Sequence, residues 1–97
     1  MSKYTYHSRY TKADLKRAID HLNKVAGQNP DVWTQHADGA HAANVGTYTL
    51  LYMDGGVRLT QIANADGCQR HVTRPGTKRE TYGRVRAYAL GFEAGAK

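Results

Sequence analysis

The sequence is short of the features that most directly reveal a protein's function. Its one cysteine, Cys68, excludes an internal disulfide and a cysteine-based metal site. The longest apolar stretch without a charge runs from Tyr48 to Met53, which is far too short to span a bilayer. The polar opening residues also lack the hydrophobic core of a secretion signal. We therefore expect a cytoplasmic protein with no membrane partner.

Chemically reactive side chains are present, but they follow no pattern that predicts catalysis. Five histidines are spread over the chain: His7, His21, His36, His41 and His71. His36 and His41 flank Asp38 in a loop rich in glycine and alanine, so nothing in the sequence directs them toward one ion. Most carboxylates fall in predicted turns or helix caps, and Cys68 has no recognisable partner base. The sequence predicts a protein that is not an enzyme and uses no metal or cofactor.

The length and composition predict one domain with one modest core. The chain has 97 residues, 40% of them hydrophobic, which suits a single α+β domain over residues 1–97, with residues 1–10 as an N-terminal arm. A first helix is predicted over residues 11–26. Its apolar residues recur at helical spacing: Leu15, Ala18, Ile19, Leu22 and Val25. Thr11 and Asp14 form a capping-box pattern at its start, and Gly27 follows its end.

The middle of the chain predicts a three-stranded antiparallel meander over residues 43–73. Threonine, tyrosine, valine and leucine dominate there, with turn residues at intervals. Asp54-Gly55-Gly56 between two β-type runs indicates a hairpin, and Asp66-Gly67 indicates a second turn. Residues 32–35 predict a short extra strand at the edge of the sheet. The expected order is helix, three strands, helix.

The last helix is predicted over residues 77–94 and has two uncharged sides. Thr77 and Glu80 form a second capping-box pattern at its start. The expected core stripe is Tyr82, Val85, Tyr88, Ala89 and Phe92, and the core is expected to combine Val85, Ala89 and Phe92 with Leu15, Ile19 and Leu22. The opposite side carries Gly83, Ala87, Leu90 and Ala94, where a free surface helix would be charged. Either the first helix packs on this side, or it is an interface with another protein or a second copy.

Charge is sorted along the chain. Residues 1–29 carry six Lys/Arg against two Asp, residues 30–69 carry one Arg against four Asp, and residues 70–97 carry seven Lys/Arg against two Glu. The segment charges of +4, −3 and +5 sum to the net charge of +6. If the two basic ends lie side by side, they form one positive surface that suits a phosphate backbone or an acidic protein.

The start of the last helix resembles a nucleic-acid-binding family. The run Gly76-Thr77-Lys78-Arg79-Glu80-Thr81, together with the order of elements, resembles the double-stranded RNA-binding domain. The resemblance implies that Lys78 and Arg79 contact phosphates and that the loop from His36 to His41 lies near a minor groove.

A second resemblance covers most of the chain. The residue pattern of four segments resembles that of small accessory proteins of tailed bacteriophages and prophages: Leu15 to Gly27, Val45 to Leu50, Gly55 to Asn64 and Lys78 to Gly91. These proteins have no agreed activity. The resemblance implies a phage origin, action inside a bacterium, and a role in host takeover or anti-defence.

Two binding functions therefore stay open. A protein partner, such as a bacterial host or defence assembly, would use Gly83, Ala87, Leu90, Ala94, Trp33, Tyr4 and Tyr6, because aromatic anchors and close helix contacts favour interfaces. A nucleic-acid partner would use Arg70, Arg74, Lys78, Arg79, Arg84 and Arg86. The protein partner is the preferred interpretation, because Asp20 and Glu80 dilute the basic clusters.

Overall fold

The computed structural model describes residues 10–95 and has the predicted α+β architecture. Its elements are α1 (Lys12–Ala26), β1 (Trp33–Gln35), β2 (His41–Ala43), β3 (Tyr48–Met53), β4 (Gly56–Ile62), β5 (Gln69–His71) and α2 (Lys78–Gly95). The expected helix, meander and helix are confirmed. Most of the expected N-terminal arm, including Tyr4 and Tyr6, lies outside the described residues. Within residues 10–95, no helix is long and apolar enough to cross a membrane.

Both helices begin at the capping boxes that the sequence predicts. At the start of α1, the amide N–H of Asp14 donates to Thr11 Oγ1 at 3.2 Å, and the amide of Thr11 donates to Asp14 Oδ2 at 3.0 Å. Thr77 and Glu80 exchange the same two bonds at the start of α2, at 3.0 and 2.8 Å. Each box satisfies amide groups that have no partner inside the helix. Gly27 ends α1 with a left-handed φ of 75°.

The meander has the strand order β3-β4-β5, with every neighbouring pair antiparallel. The β3–β4 hairpin turns through Asp54 and Gly55, so that Met53 pairs with Gly56. Gly56 has a φ of 135°, and a Cβ there would clash with the carbonyl group of Gly76. That close approach allows Val57 and Gly76 to exchange two backbone hydrogen bonds of 2.9 Å. The segment before α2 is thereby fastened to the start of β4.

The extra strand predicted near residues 32–35 is present, but it pairs with β2 in a separate two-stranded sheet. Ala43, which the prediction placed in the meander, belongs to this second hairpin. The amide of Ala43 donates to the carbonyl of Ala65 at 2.9 Å, and the Trp33 ring lies against Gly67. The β1–β2 hairpin therefore sits beside the β4–β5 turn.

The two helices lie side by side on one face of the meander and run in the same direction. The Tyr10 and Tyr82 rings, near the two helix starts, are 4.9 Å apart between centroids. Near the other ends, His21 Nε2 lies 3.3 Å from Glu93 Oε2. α1 packs over β3, and α2 packs over β4. The core between these layers contains Ala18, Ile19, Leu22, Tyr48, Leu59, Val85 and Ala89.

Two residues of the expected core stripe, Phe92 and Tyr88, are exposed. Phe92 was expected to be buried with Leu22 and Val85, yet 37% of Phe92 is exposed, whereas Leu22 and Val85 are fully buried. Phe92 lies in the last turns of α2, and there its ring contacts only the edge of the core through Tyr48, with ring centroids 6.2 Å apart. Tyr88, also expected in the core stripe, is 39% exposed. The end of α2 therefore offers aromatic surface to solvent.

A buried asparagine joins the helix layer to the sheet. Asn23 is only 1% exposed, and its Nδ2 donates to the carbonyl of Tyr48 at 2.9 Å. Its Oδ1 accepts from the amide of Tyr48 at 2.7 Å. One side-chain amide thus pairs both backbone groups of Tyr48, as a neighbouring strand would. Such pairing is needed because buried backbone groups without partners are costly.

Candidate binding surfaces

The uncharged outer side of α2 is solvent-exposed. We name Gly83, Ala87, Leu90 and Ala94 the outer stripe; all four are exposed, and Leu90 is 56% exposed. A Cβ at Gly83 or Gly91 would have nothing within 4 Å apart from the helix itself and neighbouring residues. The interpretation that α1 packs on this side is wrong. Val85 and Ala89, which lie on the other side of α2, make that contact in the core.

An aromatic cluster borders the outer stripe on the side of α2 that faces Tyr48. The Tyr48 ring meets Tyr88 and Phe92 edge-on, with ring centroids 6.5 and 6.2 Å away. Tyr88, Gly91 and Phe92 line a shallow, open depression. Burial raises the pKa of Tyr48, and the nearby positive charge of Arg70 opposes that shift. Arg70 therefore lies within electrostatic reach of the same cluster.

The lysine and arginine residues of α1 with aspartate partners are largely neutralised. Lys16 Nζ lies 2.6 Å from Asp20 Oδ1, and Arg17 pairs with Asp14, which also caps the helix. The pKa of Asp14 is lowered by its hydrogen bonds with Thr11 and by the charge of Arg17. These exposed pairs stabilise the fold little, but they remove positive potential from the α1 surface.

Arginines near β5 instead hydrogen-bond to neutral groups. Arg70 Nε donates to Gln61 Oε1 at 3.0 Å, and Arg84 Nη1 donates to the carbonyl of Arg74 at 3.0 Å. Among the described residues, no carboxylate pairs with Arg70, Arg74 or Arg84. Because Arg70 stands opposite Gln61, which stands opposite Tyr48, its side chain lies on the helix-bearing face of the sheet. We name Arg70, Arg74 and Arg84 the arginine cluster.

The other predicted nucleic-acid residues lie elsewhere. Lys78 lines a groove with Lys12 and Asp54 at the tip of the β3–β4 hairpin. Glu93 contacts His21 of α1 and so marks the side of α2 that lies next to α1. Arg79 and Arg86 precede Glu93 by four and two helical turns, and they therefore lie on that same side. The outer stripe therefore separates Arg79 and Arg86 from the arginine cluster. The six predicted residues do not form one continuous surface.

Glu80 is the acidic neighbour of the arginine cluster. Its hydrogen bonds with Thr77 lower its pKa most, and the charges of Arg84 and Arg74 lower it further. Glu80 is therefore ionised at neutral pH and removes part of the local positive charge. The three arginines still outnumber it.

A third arginine contact lies on the far face of the sheet. Arg58 stands opposite Leu51, and its Nη1 lies 2.7 Å from His71 Nδ1. Since a guanidinium can only donate, this contact requires an unprotonated Nδ1. Arg58 and His71 are thus not part of the helix-side surface.

The histidine loop forms no recognisable metal centre. Asp38 Oδ1 accepts the amide of Ala40 at 3.0 Å and so serves the β1–β2 turn. Over residues 10–95, no three histidine, cysteine, aspartate or glutamate side chains gather closely enough to hold a metal ion. The hairpin that carries this loop lies beside the β4–β5 turn, whereas Lys78 lies by the β3–β4 turn at the other end of β4. Trp33, the other predicted interface residue, is 49% exposed although its ring rests on Gly67.

Sequence reasoning missed the exposed aromatic cluster, since it placed Tyr88 and Phe92 in the core. One signal was available in the sequence: Gly91 and Ala94 near the end of α2 supply little apolar bulk around these rings.

No family model matches this chain, and neither the curated proteins nor the solved structures contain a match.

Proposed function

We propose that this chain is a non-catalytic binding protein whose protein partner packs against the outer stripe of α2. The observation that carries the proposal is Leu90, which is 56% exposed among small residues on an uncharged helix side. Burying a fully exposed leucine gains roughly 1.5 to 3 kcal/mol in the absence of other costs, and about half of that gain is still available at Leu90.

The glycines of α2 support the same proposal. Gly83 and Gly91 each weaken a helix by up to about 1 kcal/mol relative to alanine. Nothing else among the described residues comes within 4 Å of the position a side chain would take at either glycine. Internal packing therefore does not account for them, whereas a partner that approaches the helix backbone closely would.

The proposed target is a macromolecular assembly of a bacterial host or of its defence systems. This target class is the one implied by the resemblance of the four sequence segments to small phage accessory proteins. A second copy of the chain is the alternative occupant of the outer stripe. Trp33 is a further apolar contact that a large partner could reach beside the β4–β5 turn.

The test compares two alanine substitutions on exposed helix positions. Ala87→Arg places a long cation in the outer stripe, whereas Ala13→Arg places the same group on the exposed side of α1. Both variants should keep the far-ultraviolet spectrum and melting temperature of the natural chain, because both alanines are exposed. Only Ala87→Arg should lose association, since a buried cation without a partner is strongly unfavourable.

Association is measured in two ways. Sedimentation of the purified protein reports self-association, and affinity capture from bacterial lysate followed by mass spectrometry reports host partners. The proposal predicts host proteins that the natural chain and Ala13→Arg both retain and that Ala87→Arg and Leu90→Ser both lose. Recovery of the same proteins by all four chains would refute the outer stripe as the interface. If the chain forms concentration-dependent dimers that only Ala87→Arg and Leu90→Ser abolish, the partner on the outer stripe is a second copy of the chain and not a host protein.

A further inference from the structure

Within residues 10–95, the arginine cluster supplies positive charge without a carboxylate ion pair beside β5 and the adjoining side of α2. Arg70 donates to the amide oxygen of Gln61 and Arg84 donates to the backbone carbonyl of Arg74, so these bonds neutralise neither guanidinium. Glu80 offsets only part of the charge of Arg74 and Arg84. The bonds to neutral groups also hold Arg70 and Arg84 in position while leaving further N–H donors free. A guanidinium held in this way is suited to a phosphate oxygen.

Aromatic rings lie next to this charge. Arg84 precedes Tyr88 by one helical turn, and Tyr88 precedes Phe92 by another, so the three follow one side of α2 over about 12 Å. Arg70 stands opposite Gln61, which stands opposite Tyr48, so Arg70 shares the helix-bearing face of the sheet with Tyr48. The Tyr48 ring meets Tyr88 and Phe92 edge-on. Tyr88 and Phe92 leave 39% and 37% of their surface exposed, and both border an open depression.

We infer that this surface binds single-stranded nucleic acid, with phosphates on the arginine cluster and bases against Tyr88 and Phe92. Basic side chains that track a backbone, combined with aromatic rings on which bases stack, are the recurring parts of single-strand sites. The site differs from the outer stripe and uses none of its residues. It also differs from the helix start at Lys78 and Arg79 that the double-stranded RNA-binding resemblance implies.

An unpaired strand fits this surface better than a duplex. Bases in a duplex are stacked on each other and cannot meet Tyr88 or Phe92 without being extruded. A duplex would instead need basic residues spread over a wider face, and Lys78, Arg79 and Arg86 lie on other sides of the structure. Glu80 limits the affinity, because its carboxylate lies near Arg74 and Arg84.

The experiment titrates the full chain into a fluorescently labelled single-stranded oligonucleotide of about 12 nucleotides, as RNA and as DNA, and follows anisotropy. A duplex of the same sequence is measured in parallel. The salt concentration is varied from about 50 to 200 mM, because each phosphate contact contributes about 0.7 to the slope of log affinity against log salt for single strands. The fold of each variant is checked by circular dichroism.

Matched variants separate a built site from general basicity. Arg70→Gln with Arg84→Gln should lower the salt slope by about 1.4, the value for two lost contacts. Lys16→Gln with Lys24→Gln removes the same charge from α1 and should leave the slope nearly unchanged. Tyr88→Ala should weaken single-strand binding by about 5- to 150-fold, the range for one stacked base, with little change in the salt slope.

Three results would overturn the inference. Dissociation constants weaker than about 100 µM at physiological salt would be no better than background for a basic protein. Equal slope changes in the two double-charge variants would show that net charge alone drives binding. Equal affinity for duplex and single strand, unaffected by Tyr88→Ala, would remove the role of stacking. None of these results bears on the outer stripe, because the variants at Arg70, Arg84 and Tyr88 leave its residues unchanged. Ala87→Arg tests protein association separately, and it adds positive charge, so a loss of positive charge cannot explain its effect.

Discussion

Replacing Asn23 with alanine tests how the helix layer is joined to the sheet. The side chain pairs both backbone groups of Tyr48 at 2.9 and 2.7 Å in a buried position. Asn23→Ala leaves one buried N–H and one buried C=O without a partner, and each such group costs about 1 to 3 kcal/mol. We expect a loss of about 2 to 6 kcal/mol, which is a large part of the roughly 5 to 15 kcal/mol available to a domain of this kind.

The assay is urea denaturation followed by far-ultraviolet circular dichroism. Fluorescence of Trp33 is a poorer probe, because this ring lies on the β1–β2 hairpin and outside the core. Lys24→Ala, at the exposed neighbouring position, is the control and should change stability by less than about 0.5 kcal/mol. The denaturant slope should stay the same in both variants, so that the shift in midpoint measures stability. A loss below about 1 kcal/mol for Asn23→Ala would refute the role given to this amide.

A second variant at the same position adds a pH signature. Asn23→Asp introduces a carboxyl whose ionised form would face the Tyr48 carbonyl in a buried site, so its pKa in the folded protein should rise above the usual value of about 3.9. When protonated, it can donate to that carbonyl and restore both bonds. Its stability relative to the natural chain is therefore greatest below about pH 4 and declines as the pH rises through the raised pKa. A difference that does not change with pH would show that this side chain does not face the carbonyl.

Three further predictions concern other parts of the fold. Gly56→Ala should lower the free energy of unfolding by more than about 2 kcal/mol, because the φ of Gly56 is 135° and a Cβ there would clash with the carbonyl of Gly76. Gly55→Ala in the same turn should be nearly neutral, and the urea midpoints of the two variants provide the comparison. Leu22→Ala should cost about 2 to 5 kcal/mol in thermal or urea unfolding, and Phe92→Ala clearly less; equal losses would contradict the difference in burial. Glu80 has a pKa below its ordinary value of 4.5, so its contribution to stability is present above that value and is lost as the pH falls through the lowered pKa. Glu80→Gln should therefore flatten the acid side of a plot of melting temperature against pH, and an unchanged plot would contradict the cap.

The sequence by itself determined the local features of this protein. The capping boxes at Thr11 and Thr77 and the hairpin at Asp54 depend on contacts between residues that are three positions apart. Such contacts follow from backbone geometry and need no information about the rest of the chain. The apolar spacing of α1 likewise predicted that Leu15 and Leu22 are buried, because one helix stripe must meet the core.

Only the tertiary structure decided which predicted residues share a surface. Side chains distant in sequence, such as Arg70 and Tyr88, both lie beside Tyr48, because Arg70 is in register with Tyr48 across the sheet and α2 packs on that face. The parallel arrangement of the helices also left the outer stripe uncovered and brought Phe92 to the edge of the core. Helical spacing tells which residues lie on one side of a helix, but not which side meets a neighbour. That choice depends on how helices and sheet pack together, and packing is a property of the whole chain.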